Sequence, residues 1–191
     1  KKYRHLIVSP HYTRNAIYSL IQTEIENSKK GIQNGIQLKL NSLSDYAMID
    51  KLYEASKAGV KIKMIIRGIC CLIPGIKGLS ENIQVISIVD KFLEHPRMYI
   101  FENGGKPKYY ISSADFMSRN LDTRVEIACP IYDLDIQREL QHTFDICWSD
   151  NVKARVISAK QDNAYKIKNF PEIRSQVETY NYYLNKLDIN L

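Results

Sequence analysis

Residues 36–66 restrict the fold more than any other stretch. Ile36-Gln37-Leu38-Lys39-Leu40-Asn41 alternates apolar and polar side chains without a break, the period of a strand with one face on a core. The period then changes. Ile49, Leu52, Tyr53 and Ser56 recur on one side of a helix over 45–58, and Gly59 stops it. Residues 60–66 return to an apolar strand. A strand, a helix and a strand within about thirty residues make a parallel unit with a right-handed crossover. This commits the chain to the α/β class.

The flanking pattern extends that unit. Residues 5–9 read as a short strand or an entry segment. Thr13 stands where it can cap a helix whose inner face is Ile17, Leu20, Ile21 and Ile25, ending near Gly31 after Lys29 and Lys30. Residues 83–89 and 97–102 are further strands. Asn103-Gly104-Gly105 turns the second of them into a fifth strand over 109–113, as a hairpin. A sixth strand covers 124–129. The helix over 133–148 has Ile136, Leu140, Phe144 and Cys147 on one face. Residues 150–168 are polar and irregular, with one short strand at 154–156. A last helix starts near Pro171, with Ile173, Val177, Tyr180, Leu184 and Leu187 as its apolar stripe and Tyr182 and Tyr183 at the core edge. The pattern predicts a mixed β-sheet flanked by helices on both faces. Residues 1–150 form the main domain, and 151–191 form a polar connection and a C-terminal helix packed on it.

With 191 residues, 45% hydrophobic and 25% charged, the chain can bury a sizeable core and is not a disordered tail. The net charge of +6 suits an anionic ligand such as nucleic acid, nucleotide or polyphosphate, without choosing among them. No apolar run reaches membrane-spanning length, and no signal peptide is visible. The start Lys1-Lys2-Tyr3-Arg4, without methionine, reads as that of an excised domain or a processed product. Cys70, Cys71, Cys129 and Cys147 lack metal-ligand spacing and read as buried free thiols in a reducing compartment. No metal site is expected.

Chemistry concentrates around one histidine. His95 precedes Arg97 by two residues and Glu102 by seven, and Ser112-Ser113-Ala114-Asp115 follows. Strand alternation puts His95, Arg97 and Tyr99 on one face. An imidazole beside a guanidinium meets a phosphate well: arginine forks the oxygens, and histidine moves a proton or attacks phosphorus. Arg97 can equally pair with Glu94 or Glu102. Ser112 and Ser113 either bind phosphate or orient His95. Arg67 ends the second strand of the parallel unit, where α/β sheets bind ligands, and Gly68 permits close backbone approach. Arg119 and Arg124 either line a polyanion path or are solvated. His5, His11 and His142 have no comparable neighbours. Residues 68–82 carry no GK[ST] signature and read as a loop.

These residues resemble a family. The stretches from Gly35 to Asn41, Ile66-Arg67-Gly68-Ile69-Cys70, Ile73-Pro74-Gly75, Ser80-Glu81-Asn82-Ile83, Ser87 through His95, Phe101 through Gly105 and Ser112 through Asp122 are similar to the C-terminal region of bacterial polyphosphate kinases. The resemblance implies a phospholipase-D-like fold, the second of two such halves. It implies reversible transfer of the ATP terminal phosphate to polyphosphate through a phosphohistidine on the first half, outside this chain, so the chain alone is expected to be inactive. It implies ATP or ADP and polyphosphate as substrates, magnesium, and a homo-oligomer. It also implies an N-terminal region and a first phospholipase-D-like domain as partners within one polypeptide. A cytoplasmic location follows, with peripheral membrane association left open, and no nucleic acid. By matching positions, Arg67 is the ATP-binding arginine and His95 the second active-site histidine. Arg97, Glu102 and Ser112-Ser113-Ala114-Asp115 fall where phospholipases have lysine, aspartate and GSxN. Those departures weigh against the alternative of a dimeric phosphodiesterase or nuclease with His95 as nucleophile. A non-catalytic interaction module is the third reading.

Overall fold

The computed structural model describes residues 3–167 and 170–188. Residues 1–2, 168–169 and 189–191, which fall in the first four residues, the polar connection and the C-terminal segment read from the sequence, lie outside them. An eight-stranded mixed sheet runs through the molecule in the order β1-β7-β6-β5-β2-β3-β4-β8. The parallel centre is β2 (Ile36–Leu40), β3 (Ile62–Ile66) and β4 (Ile83–Ser87). Antiparallel to it, β5 (Arg97–Phe101) pairs with β2, then β6 (Lys108–Ser112), β7 (Ile127–Ile131) and β1 (Ile7–Val8) follow outward. On the other edge β8 (Arg155–Ile157) runs antiparallel to β4.

Alternation along β2 sorts the layers. Ile36, Leu38 and Leu40 face a core built with α1 (Thr13–Lys29) and α2 (Tyr46–Lys57) through Ile17, Ile21, Met48 and Leu52. Gln37 and Lys39 face the other side, where α4 (Leu134–Ser149) brings Phe144 and Cys147 onto Ile65, Ile86, Met98 and Ile100. Each such apolar side chain contributes roughly 1.5–3 kcal/mol. Helix α5 (Ser175–Asp188) packs on α4. Local chemistry fixes the helix starts: the Asp45 carboxylate accepts from Met48 N, and that of Asp133 from Asp135 N and Ile136 N.

Several details differ from the sequence reading. Thr13 is the first residue of α1 rather than its cap, and its hydroxyl accepts from Ser9 Oγ at 2.8 Å. The sixth strand begins at Ile127, three residues late, because its register is set by Ala128 opposite Ser112 and Ile127 opposite Val8. Pro130 is tolerated because β1 is too short to reach it and its edge there is free. A short helix α3 (Ser118–Asp122) follows β6. Helix α5 starts four residues after Pro171, and its expected stripe is largely exposed, Tyr180 at 65% and Leu187 at 64%. It meets α4 through Tyr182 on His142, with ring centroids 4.4 Å apart, and Lys186 on Glu139. The four cysteines are free, yet only Cys147 is buried; Cys71 is exposed and Cys70 and Cys129 are half-buried. Among the described residues no helix is long and apolar enough to cross a membrane.

Candidate functional site

One end of the sheet gathers the chemistry. The carboxyl ends of β2, β3, β4 and β6 and the amino ends of β5 and β7 lie there, because Arg97 pairs with Ser112, Ser112 with Ala128, and Leu40 with Ile66. Asn41, Arg67, Arg97, Ser112 and Ser113 therefore converge, with His95 beside them.

Arg67 follows β3 directly. Its Nε donates to Asn41 Oδ1 at 2.7 Å, and both terminal nitrogens lack partners among the described residues. Gly68 holds this corner tight: its N–H donates to Asn41 O at 2.8 Å, and a Cβ there would sit 3.0 Å from that oxygen. A larger residue would move the Arg67 backbone. Arg67 and Asn41 share a cleft with Lys39, Glu94 and Pro96, which joins Arg67 to the residues flanking His95.

His95 is exposed and lies two residues before β5, so it does not share a strand face with Arg97 and Tyr99 as alternation suggested. Its imidazole has no partner among the described residues. Arg97 pairs with neither Glu94 nor Glu102. Its Nη2 donates to Asp115 Oδ2 at 2.9 Å and its Nη1 to His95 O at 3.0 Å, while Nε is buried without a partner. The Asp115 hydrogen bond holds the Arg97 guanidinium in its charged form, above the ordinary arginine range. Asp115 Oδ1 also accepts from Asn41 N at 2.7 Å and Ser42 N at 3.1 Å. Glu102 sits at the far end of β5, accepting from Gln33 Nε2 at 2.7 Å, and plays no part at this end.

Both serines are committed to the fold. Ser112 Oγ donates to Ile127 O at 3.2 Å and accepts from Ala114 N at 3.0 Å. Ser113 Oγ accepts from Ile127 N at 3.1 Å and donates to Glu126. Beneath them Tyr99 is fully buried, its hydroxyl donating to Ala114 O, and burial pushes its ionisation well above the usual tyrosine range. Arg119 lies on α3, exposed and without a side-chain partner among the described residues; Arg124 is exposed beyond it.

Sequence reasoning passed over Asn41, Lys39 and Glu126. Glu126 joins the site through Ser113 and through Asn120 Nδ2 at 2.6 Å. Lys39 Nζ donates to Glu94 Oε2 at 2.6 Å and Cys147 Sγ at 3.2 Å. Burial pushes the Glu94 carboxyl up, but Lys39 outweighs it and holds Glu94 below the usual range. Only the polar positions of the alternating strand β2 hinted at Lys39. Among the described residues no three His, Cys, Asp or Glu side chains stand together as a metal site.

Comparison with known proteins identifies the setting. A family model described as the polyphosphate kinase C-terminal domain 2 matches residues 6–176. The polyphosphate kinase of Vibrio parahaemolyticus is 50% identical over 185 residues, 96% of this chain and 27% of that protein. The Escherichia coli polyphosphate kinase is 46% identical over 179 residues, 93% of this chain and 26% of that protein. The crystal structure of polyphosphate kinase from Porphyromonas gingivalis superposes with a TM-score of 0.94 at 43% identity, covering 98% of this chain and 29% of that one. The phospholipase D family member Nuc from Salmonella typhimurium matches at a TM-score of 0.59 and 16% identity, over 81% of this chain and 97% of that one, a likeness of fold alone. The chain thus spans about a quarter of the curated relatives' length, and it belongs to the polyphosphate kinase C-terminal domain 2 family.

Proposed function

We propose that the chain supplies the nucleotide- and phosphate-binding half of a polyphosphate kinase active site. The phosphohistidine is carried outside this chain. The single observation behind this is Arg67: its Nε is fixed by Asn41, and its two terminal nitrogens have no partner among the described residues, at the end of the sheet where α/β folds bind ligands.

Phosphoryl transfer is mostly positioning and charge neutralisation. In this reading the free fork of Arg67 takes two oxygens of an ATP phosphate. His95, exposed and without a side-chain partner among the described residues, donates a hydrogen bond to the transferring group or a proton to its leaving oxygen. The phosphoryl group leaves the β-phosphate oxygen of ATP, passes to a histidine nitrogen of the first half, and then to the terminal oxygen of polyphosphate. Arg119 lines the polyphosphate path. Arg97, Ser112 and Ser113 support the rim rather than gripping phosphate, since each is already engaged. Asp115 and Glu126 are equally engaged, so the donor set of this chain does not fit a magnesium ion.

Calorimetric titration of the chain with ATP and with long-chain polyphosphate, at two salt concentrations, tests the reading. We expect saturable binding that Arg67→Ala and His95→Ala each weaken, and no label retained after incubation with γ-labelled ATP. Binding indifferent to both substitutions, or steady phosphotransfer by the chain alone, would overturn it.

A further inference from the structure

The segment that carries His95 is held in an unusual way. Residues 88–96 connect β4 to β5 without secondary structure, and among the described residues no backbone–backbone hydrogen bond reaches them. Side chains hold them instead: at positions 90, 92 and 94, and at the His95 carbonyl, which accepts from Arg97 Nη1 at 3.0 Å. Asp90 receives both Arg174 Nε at 2.8 Å and Arg174 Nη2 at 2.6 Å. Phe92 is bound on both polar backbone atoms by one amide: its N–H donates to Gln176 Oε1 at 2.9 Å, and its carbonyl accepts from Gln176 Nε2 at 2.8 Å. The same Nε2 donates to Glu94 Oε1 at 2.9 Å, and Glu94 Oε2 receives Lys39.

Gln176 thus replaces the strand that this segment lacks. Its amide presents one donor and one acceptor to Phe92, as a neighbouring backbone would. Its own place is fixed from below. Asp150, fully buried, accepts from Ser175 N at 2.7 Å through one oxygen and from Val152, Lys153 and Ala154 N–H through the other. These bonds pin the start of α5, whose Gln176 grips positions 92 and 94, the latter one residue short of the exposed imidazole, while Arg174 just before it grips 90.

We propose that Gln176, supported by Arg174, is a positioning residue for His95. It sets where the imidazole stands over the phosphate site without touching the substrate itself. The proposal rests on the reading that His95 acts on the transferring phosphate. Without Gln176 the segment keeps only the Arg174, Lys39 and Arg97 bonds and loses the pair on Phe92. An imidazole on that looser segment spends less time at the productive distance, and misplacement of about 1 Å is enough to cost up to about a hundredfold in rate.

A double-mutant cycle in the full-length polypeptide tests it, reading kcat and KM for ATP in parent, Gln176→Ala, His95→Ala and the double variant. We expect Gln176→Ala to lower kcat about tenfold or more while KM for ATP moves less than about twofold. In the His95→Ala background the same change should cost nothing further, because the group it positions is gone. Gln176→Glu should not rescue: it keeps an acceptor for Phe92 N but loses both donors and sets a second carboxylate against Glu94. A general loss of folding would lower the rate in both backgrounds alike. If His95→Ala is slow and Gln176→Ala is neutral, or as costly in its presence as in its absence, the proposal fails alone. If His95→Ala keeps the full rate, the proposal and the role of His95 fall together.

Discussion

Arg97 and Asp115 form an ion pair at 2.9 Å, across the start of β5 and the turn after β6, with side-chain exposures of 19% and 8%. The pair reaches further than its two members. Asp115 also accepts the Asn41 and Ser42 amides, and the Asn41 side chain fixes Arg67. A guanidinium that looks like a phosphate ligand in sequence is here the keystone under another one. Asp115→Ala would leave Arg97 with an unpaired charge and two amides without an acceptor. Breaking such a pair costs about 3 kcal/mol or more. Urea denaturation of the chain measures this, and a loss below about 1 kcal/mol would mean that water replaces the carboxylate freely.

Asn41 sets the availability of Arg67. The amide oxygen takes only Nε, 2.7 Å away, and leaves the fork open. A carboxylate in its place would pair with the guanidinium and repel an approaching phosphate. We expect Asn41→Asp to weaken ATP binding about tenfold or more, equivalent to about 1.4 kcal/mol, with little change in folding stability. Unchanged affinity in the calorimeter would remove Arg67 from the phosphate site.

The contrast between these residues and the strands shows what the sequence made legible. The unit β2-α2-β3 was readable because its periods of 2 and 3.6 are local, and Arg67 was readable because its place at a strand end follows from them. The partner of Arg97 was not. Asp115 lies 18 residues away, past a hairpin, and Glu94 and Glu102 are closer in sequence but face a different layer or the opposite sheet end. The same holds for Glu126, which joins the site only through Ser113 and Asn120. The start of β5 at Arg97 was legible, but alternation carried back to His95 was not, because the chain before Arg97 is a connection without strand geometry. The stripe of α5 misled because that helix meets α4 through a tilted contact of the Tyr182 and His142 rings and an ion pair, while its aliphatic stripe stays largely exposed.

Phe116 joins the site to the core. It is fully buried, its ring lies 5.1 Å from that of Tyr99, and its carbonyl accepts the Ser44 and Asp45 amides. Phe116→Ala removes the ring and leaves those backbone bonds possible. The expected cost is about 3–5 kcal/mol in chemical denaturation, from lost burial and the cavity left behind. A cost under about 1 kcal/mol would show that the layer collapses to fill the space.

Asp45 links α2 to α1 and makes acid the natural probe of that contact. Its carboxylate takes Arg14 Nη1 at 2.7 Å and Nη2 at 2.8 Å, with Ser118 Oγ and Met48 N completing the shell. The Arg14 hydrogen bonds hold it down at about 2, against the raising effect of burial. A carboxyl depressed on folding binds protons more readily when unfolded. Its stabilisation is therefore complete above the ordinary aspartate value and lost as pH falls through the folded one. Asp45→Asn keeps the helix cap and removes the charge. We expect it to cost about 2 kcal/mol at neutral pH, with the gap from the parent closing as the pH falls from about 5 to about 2. Denaturation curves collected across that range test it, and a gap independent of pH would show that the Arg14 pairing contributes no charge-dependent stability.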